Sequence, residues 1–201
     1  MEDLKKQEQF EMEVLERLNS ARLLDGLVFC GGTMLRLCYE LPRYSVDLDF
    51  WLADASAAQG LYADMERVLA QKYEFTDRMN KKFTLLFELR SPDYPRRLKI
   101  EVRKDPGDMR TESAIAFSTS SNVQVAVKTL ALDEMMQSKV DALIDRKETR
   151  DAFDIEFLLR RGIPLEIDQA RLKKLSAVVN GFTKAEIVSK LGSLLAPDVR
   201  R

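Results

Sequence analysis

The 201-residue chain contains no histidine. That absence removes Ser-His-Asp and Cys-His hydrolases, histidine-ligated zinc sites and histidine-aspartate phosphohydrolases together. Acid–base chemistry is left to carboxylates, lysine, tyrosine or metal-bound water. Cysteine is scarce too. Cys30 and Cys38 lack metal-ligand spacing, sit in apolar stretches and read as buried thiols in a reducing compartment rather than a disulfide. No apolar run reaches the ~18 residues of a membrane span. Met1 to Ser20 is charged throughout and lacks the apolar core of a signal segment. A cytoplasmic protein with no membrane contact is the expectation. Net charge is only −1, so any nucleic-acid contact has to come from a local basic patch. Repeats and low-complexity segments are absent as well. What is present, 45% hydrophobic and 32% charged residues, is ordinary for one sizeable or two small globular domains.

The most informative stretch is Leu27 to Leu52. Leu27-Val28-Phe29-Cys30 reads as a buried strand, Gly31-Gly32-Thr33 as a turn, and Met34 to Leu41 as a helix that Pro42 ends. Strand, small-residue turn and helix start make an anion site, because glycines let the backbone approach a phosphate that the first helical amides face. A second strand then carries Asp47 and Asp49. Successive strand side chains alternate, so both carboxylates share one face while Leu48 and Phe50 take the other. Two adjacent carboxylates repel unless a cation neutralises them, and Mg²⁺ (or Mn²⁺) is commonly held by one or two carboxylates plus substrate phosphates. A phosphate turn followed by such a pair suits phosphoryl or nucleotidyl transfer. Either feature alone is common; a turn and a solvated strand end are the bland alternative.

Elsewhere, residues 2 to 19 read as an amphipathic surface helix and Ala53 to Gln71 as a second helix. Tyr73 to Met79 and Lys82 to Arg90 read as strands around an Asn80-Lys81 turn, and Arg96 to Lys104 as a third strand. In that strand Leu98, Ile100 and Val102 share one face, with Lys99, Glu101 and Arg103 on the other. Asp105-Pro106-Gly107 is a turn signal, followed to residue 122 by a polar loop with at most a short strand near Ala114 to Phe117. Val123 to Val127 alternates like a strand, and from Leu130 onward the pattern is helical, ending in candidates Asp168 to Val179 and Thr183 to Leu195. Lys139 falls on the apolar stripe of Leu132, Met136 and Leu143, so it either snorkels outward or enters a polar pocket. Asp151 and Asp154 stand one helical turn apart beside Arg150, where surface salt bridging is the simplest account.

Gly31-Gly32-Thr33 with Arg43-Tyr44-Ser45-Val46-Asp47-Leu48-Asp49-Phe50 resembles the first motif of AbiEii-like nucleotidyltransferases. These are toxins of type IV toxin–antitoxin and phage-abortive systems, within the DNA polymerase β-like superfamily. Lys139, Arg146 and Arg150-Asp151-x-x-Asp154 resemble the family's later motif, so the likeness covers residues 27 to about 160. It implies an α+β fold: a nucleotidyltransferase core with a mixed sheet and flanking helices over 1–128, then a helical part over 129–201 that completes the active-site cleft. It implies Mg²⁺ on Asp47 and Asp49 with Glu101 as a third carboxylate, or Glu101 taking the acceptor's proton. Gly31, Gly32, Thr33, Ser45 and Arg43 form the implied nucleotide-binding set. Lys139 would neutralise phosphate charge and Asp154 orient Lys139 or the nucleotide, with Arg146, Arg150 and Asp151 as acceptor or phosphate contacts. An NTP is the implied substrate, the tRNA 3′ end the implied acceptor, and an antitoxin protein the implied partner. The alternatives are a catalytically silent nucleotide-binding or toxin–antitoxin interaction module, and transfer to a protein or small molecule. A DxD glycosyltransferase would leave Gly-Gly-Thr and the Lys139/Asp154 helices unexplained.

Overall fold

A computed structural model describes residues 1–54, 58–105, 108–196 and 199. The chain forms two compact units, Met1–Glu40 with Tyr44–Leu130, and Leu41–Arg43 with Ala131–Arg201.

In the first unit α1 (Glu2–Ser20) has no interior glycine or proline, and Glu2 and Asp3 at its start oppose the helix dipole. It is followed by β1 (Leu27–Cys30), α2 (Gly31–Tyr39), β2 (Asp47–Leu52), α3 (Leu61–Leu69), β3 (Glu74–Asn80), β4 (Thr84–Arg90), β5 (Leu98–Arg103), β6 (Thr111–Phe117) and β7 (Gln124–Leu130). The strands form one mixed sheet in the order β3-β4-β5-β2-β1-β7-β6. β2 runs antiparallel to β1 and parallel to β5, and β1 runs parallel to β7.

Strict alternation decides the two faces of this sheet. Leu48, Phe50 and Leu52 of β2, Leu98, Ile100 and Val102 of β5, and Leu85, Phe87 and Leu89 of β4 are all buried. α3 lies over them, with Tyr62 stacked on Phe87 at 5.0 Å. α1 packs on the sheet too, and its Phe10 stacks on Tyr94 at 4.5 Å. Full burial of each large side chain is worth about 1.5–3 kcal/mol. The intervening residues of β2, β4 and β5 are partly exposed, which leaves one face for chemistry.

Several boundaries differ from the sequence reading. α2 begins at Gly31 rather than Met34, because Gly31 adopts a φ of 79° and swings the chain into the helix at once. α3 is shorter than Ala53 to Gln71: Gly60, at φ 78°, starts it late, and 55–57 lie outside the described residues. The polar loop expected over 105–122 contains a full edge strand, β6, paired along its length with β7. Its polar, solvent-facing residues masked the alternation. Pro106 and Gly107 of the expected turn lie outside the described residues.

The second unit contains α4 (Leu132–Arg146), α5 (Thr149–Arg160), α6 (Gln169–Gly181) and α7 (Lys184–Lys190). α7 is shorter than the expected Thr183 to Leu195, although Thr183 and Glu186 form a complete capping box at its start. Among the described residues no helix is long and apolar enough to cross a membrane.

α1 also buries acids. Glu8 is satisfied by Arg36 at 2.7 Å and by the Ser118 hydroxyl at 2.7 Å. Glu11 is fully buried and neither of its carboxylate oxygens has a hydrogen-bond partner. Burial, then the charges of Glu8 and Asp47, push its pKa well above the ordinary 4.5, and Arg36 offsets this only in part. Glu11 therefore keeps its proton in the folded state at pH values where the unfolded chain has lost it. Stability should fall as pH rises above about 4.5 toward the folded pKa. Urea denaturation across pH 4.5 to 8 should show Glu11→Gln gaining on the native protein as pH rises, with the two converging at the acid end.

Candidate active site

One cluster of candidate residues is built where β1 ends. Cys30 lies opposite Asp49 in the β1–β2 ladder, so the Gly31-Gly32 turn meets β2 at its aspartates. A Cβ on Gly31 would lie 2.5 Å from Asp49 Oδ2 and 3.0 Å from its Cβ. Glycine is required there twice, for the positive φ and for this clearance. Thr33 is buried, and its hydroxyl donates to the Asp47 carbonyl at 2.5 Å. It thereby fixes the first turn of α2 to the strand carrying the acids. No side chain caps α2, so its leading amides keep the character of an anion site. Ser45 lies just before β2 and is partly exposed.

On β2 the burial alternates, with Asp47 and Asp49 partly exposed on the open face. β5 places Lys99 beside Asp47 and Glu101 beside Asp49. Lys99 and Glu101 pair at 2.6 Å. Burial lowers the Lys99 pKa, but Glu101 and then Asp47 and Asp49 outweigh it and hold the ammonium above its ordinary value. The three acids make the field around Lys99 locally negative. Among the described residues no three His, Cys, Asp or Glu side chains converge to hold an ion unaided. Two carboxylates on an open face beside an uncapped helix start fit a hard cation that takes its other oxygens from phosphate and water.

In the second unit, Lys139 enters a polar pocket and does not snorkel: it is 5% exposed. Its ammonium lies 2.7 Å from Asp154 Oδ2 and 3.2 Å from Asp151 Oδ1. Arg43 grips Asp154 with two bonds of 2.6 Å, and Arg146 grips Asp151 with bonds of 2.8 and 2.9 Å. The two aspartates are thus buried, not surface salt-bridge partners. Burial raises the Asp151 pKa, but Arg146 and Lys139 prevail and hold it below the usual carboxylate range. Lys139, Arg43 and Arg146 thus converge on the two aspartates. Arg150 stands partly exposed in the first turn of α5.

Arg43, grouped by sequence with the nucleotide-binding residues, is in the structure the partner of Asp154. Lys99 was placed on the Glu101 face by alternation but not among the candidate site residues; only its pairing beside Asp47 brings it into the site. Nothing local marks Arg43 as a partner of a residue 111 positions away. Cys38 makes no disulfide, and burial pushes its thiol up to about 12, so it contributes no thiolate.

A family model described as "Nucleotidyl transferase AbiEii toxin, Type IV TA system" matches residues 13–194. No curated protein matches the chain. Among solved structures, JHP933 from Helicobacter pylori is similar over 90% of this chain and 78% of its own, with 21% identity and a TM-score of 0.56. A putative nucleotidyltransferase from H. pylori is similar over 90% and 80%, at 19% identity and TM-score 0.57. MenT4, a nucleotidyltransferase toxin from Mycobacterium tuberculosis H37Rv, is similar over 84% of this chain and 64% of its own, at 18% identity and TM-score 0.52. These likenesses show a shared fold.

Two substitutions test the geometry. Gly31→Ala should cost at least about 1–3 kcal/mol in urea denaturation, since it strains φ and collides with Asp49. Asp154→Ala should cost about 3–5 kcal/mol by leaving buried cations uncompensated. Arg146→Ala, at a side chain 54% exposed, should cost less than Asp154→Ala in the same experiment.

Proposed function

The chain belongs to the AbiEii family of nucleotidyltransferase toxins, and from that premise we propose that it moves an NMP from an NTP to a hydroxyl of the tRNA 3′ end, Mg²⁺ assisting. The observation that carries this reading is the Asp47/Asp49 pair on an open sheet face, with Asp49 packed against the backbone of Gly31 at the start of α2.

Asp47 and Asp49 would hold the metal ion. When bound, it supplies positive charge that offsets the charge growing on the transferred phosphoryl. The amides at Gly31 and Gly32 bind the β- and γ-phosphates, and Thr33 keeps that turn in register with β2. Ser45 contributes its hydroxyl to the same phosphates. The acceptor oxygen bonds to the α-phosphorus, the bond to the bridging oxygen breaks, and pyrophosphate leaves. Glu101, whose oxygen already accepts from Lys99, takes the acceptor's proton. Lys139 has three N–H donors and spends two on Asp151 and Asp154, which leaves one for phosphate. Arg146 and Arg150 add positive charge for phosphate contacts. A cognate antitoxin is the proposed protein partner and the cytoplasm the proposed location.

The test is incubation with each labelled NTP, Mg²⁺ and total tRNA, resolved on a gel. Asp47→Asn is nearly isosteric and should lower transfer at least about a hundredfold, equivalent to roughly 2.7 kcal/mol of transition-state stabilisation. Lys139→Met should also remove transfer. If the native chain arrests growth on expression, Asp47→Asn at equal protein level should not. Arrest that persists would mean the toxicity comes from binding alone.

A further inference from the structure

The face that carries Asp47 and Asp49 does not stop at β2. Register extends it from Asp49 to Glu101 on β5, Leu86 on β4 and Met79 on β3. One step along, Trp51 lies beside Arg103, which in turn lies beside Thr84. The Arg103 guanidinium sits over the Trp51 ring, 5.4 Å from its centroid. Beyond Thr84 the β3–β4 turn projects Lys81, Lys82 and Phe83. Phe83 is 61% exposed, and the Lys82 ammonium lies 4.9 Å from its ring centroid. Lys104 closes this end of the sheet with bonds to Asn80 and to the Lys81 carbonyl. Trp51 is half-buried and Phe83 is exposed, and each of these two rings carries a cation.

We propose that this end of the open face, centred on Trp51 and Arg103 with Phe83 and Lys82 at its rim, is the docking surface for a single-stranded nucleic-acid acceptor, whose terminal base stacks on Trp51. The inference rests on the nucleotidyltransfer reading and adds where the acceptor lies. In-line displacement requires attacking and leaving oxygens on opposite sides of the phosphorus. β2 lies between β1 and β5. Pyrophosphate leaves toward the Gly31-Gly32 turn at the end of β1, so the acceptor approaches from the β5 side, where Arg103 sits over the Trp51 ring of β2. Charge agrees, because basic residues outnumber acidic ones from Lys72 to Lys104 although the whole chain is near neutral. Stacking on aromatic rings with neighbouring cations is how proteins hold single strands without reading their sequence.

Trp51 is the chain's only tryptophan, so its emission reports directly on this surface. Titrating the full chain with a single-stranded RNA of about ten nucleotides should quench that emission, with an affinity that falls as salt rises. Heparin, a polyanion without bases, should leave it unquenched, as should each Mg²⁺–NTP. Arg103→Glu should weaken RNA binding about tenfold or more, measured by fluorescence anisotropy. Asp47→Asn should keep RNA binding and quenching while losing transfer. Quenching by an NTP would assign Trp51 to the donor base and overturn the proposal. RNA that leaves Trp51 unquenched at low salt overturns it as well, including the case in which the true acceptor is a protein. Transfer that survives Asp47→Asn with quenching intact would defeat the proposed chemistry while leaving the docking surface standing.

Discussion

There is no room for a side chain at Gly31. Asp49 occupies the space a Cβ would take, and the backbone there has a φ of 79°. That one contact brings the end of β1, the start of α2 and the middle of β2 to a single point. The Thr33 bond to the Asp47 carbonyl fixes the same point from the other side. Once β1 and β2 are joined antiparallel, the parallel pairing of β2 with β5 places Lys99 and Glu101 beside the aspartates. The position of every charged group on the open face follows from these pairings.

The protein handles charge in three ways, and the differences are physical. On the open sheet face, carboxylates stay partly hydrated, where their mutual repulsion is tolerable and a cation can reach them. In the second unit, Asp151 and Asp154 are sealed from water and each is gripped by an arginine, with Lys139 bridging them. Such a network gains little net stability over apolar packing, but breaking it is expensive, so it holds its members in one arrangement. Guanidinium suits this task because its planar donors match both oxygens of a carboxylate. Glu11 is the third case, a buried acid whose oxygens accept no hydrogen bond and which burial and the charges of Glu8 and Asp47 make harder to ionise than usual.

Much of this was legible in the sequence. The buried strand Leu27–Cys30 was legible as a continuous apolar run. The aspartates on one face of β2 and the apolar face of β5 followed from period-two alternation, because those two strands each have one covered face. β6 was harder to read. As an edge strand it pairs on one side only and shows water most of its residues, so hydrophobic alternation is nearly absent. Lys139 sat on an apolar stripe with two possible readings, and only the burial of Asp151 and Asp154 decides between them. Arg43 was out of reach for a different reason: its partner is set by tertiary closure, which leaves no local periodicity. The Trp51–Arg103 pair depends on which strand becomes the neighbour of β2, and a parallel partner so distant in sequence cannot be read from spacing.

The ownership of Leu41–Arg43 has a consequence for how the chain is made. These three residues pack with the helices after residue 130, although they emerge from the ribosome long before them. Until Asp154 appears, the Arg43 guanidinium lacks the carboxylate it will be buried with, and the segment after α2 cannot settle. Closing so long a loop costs entropy that local helix formation in α4 and α5 does not, so the Arg43 bond belongs among the late events of folding. A fragment starting at Ala131 would bury Asp154 with Lys139 alone. The helical part is therefore not a detachable module, and a ribosome that stalls before residue 154 releases a chain whose ion network cannot close.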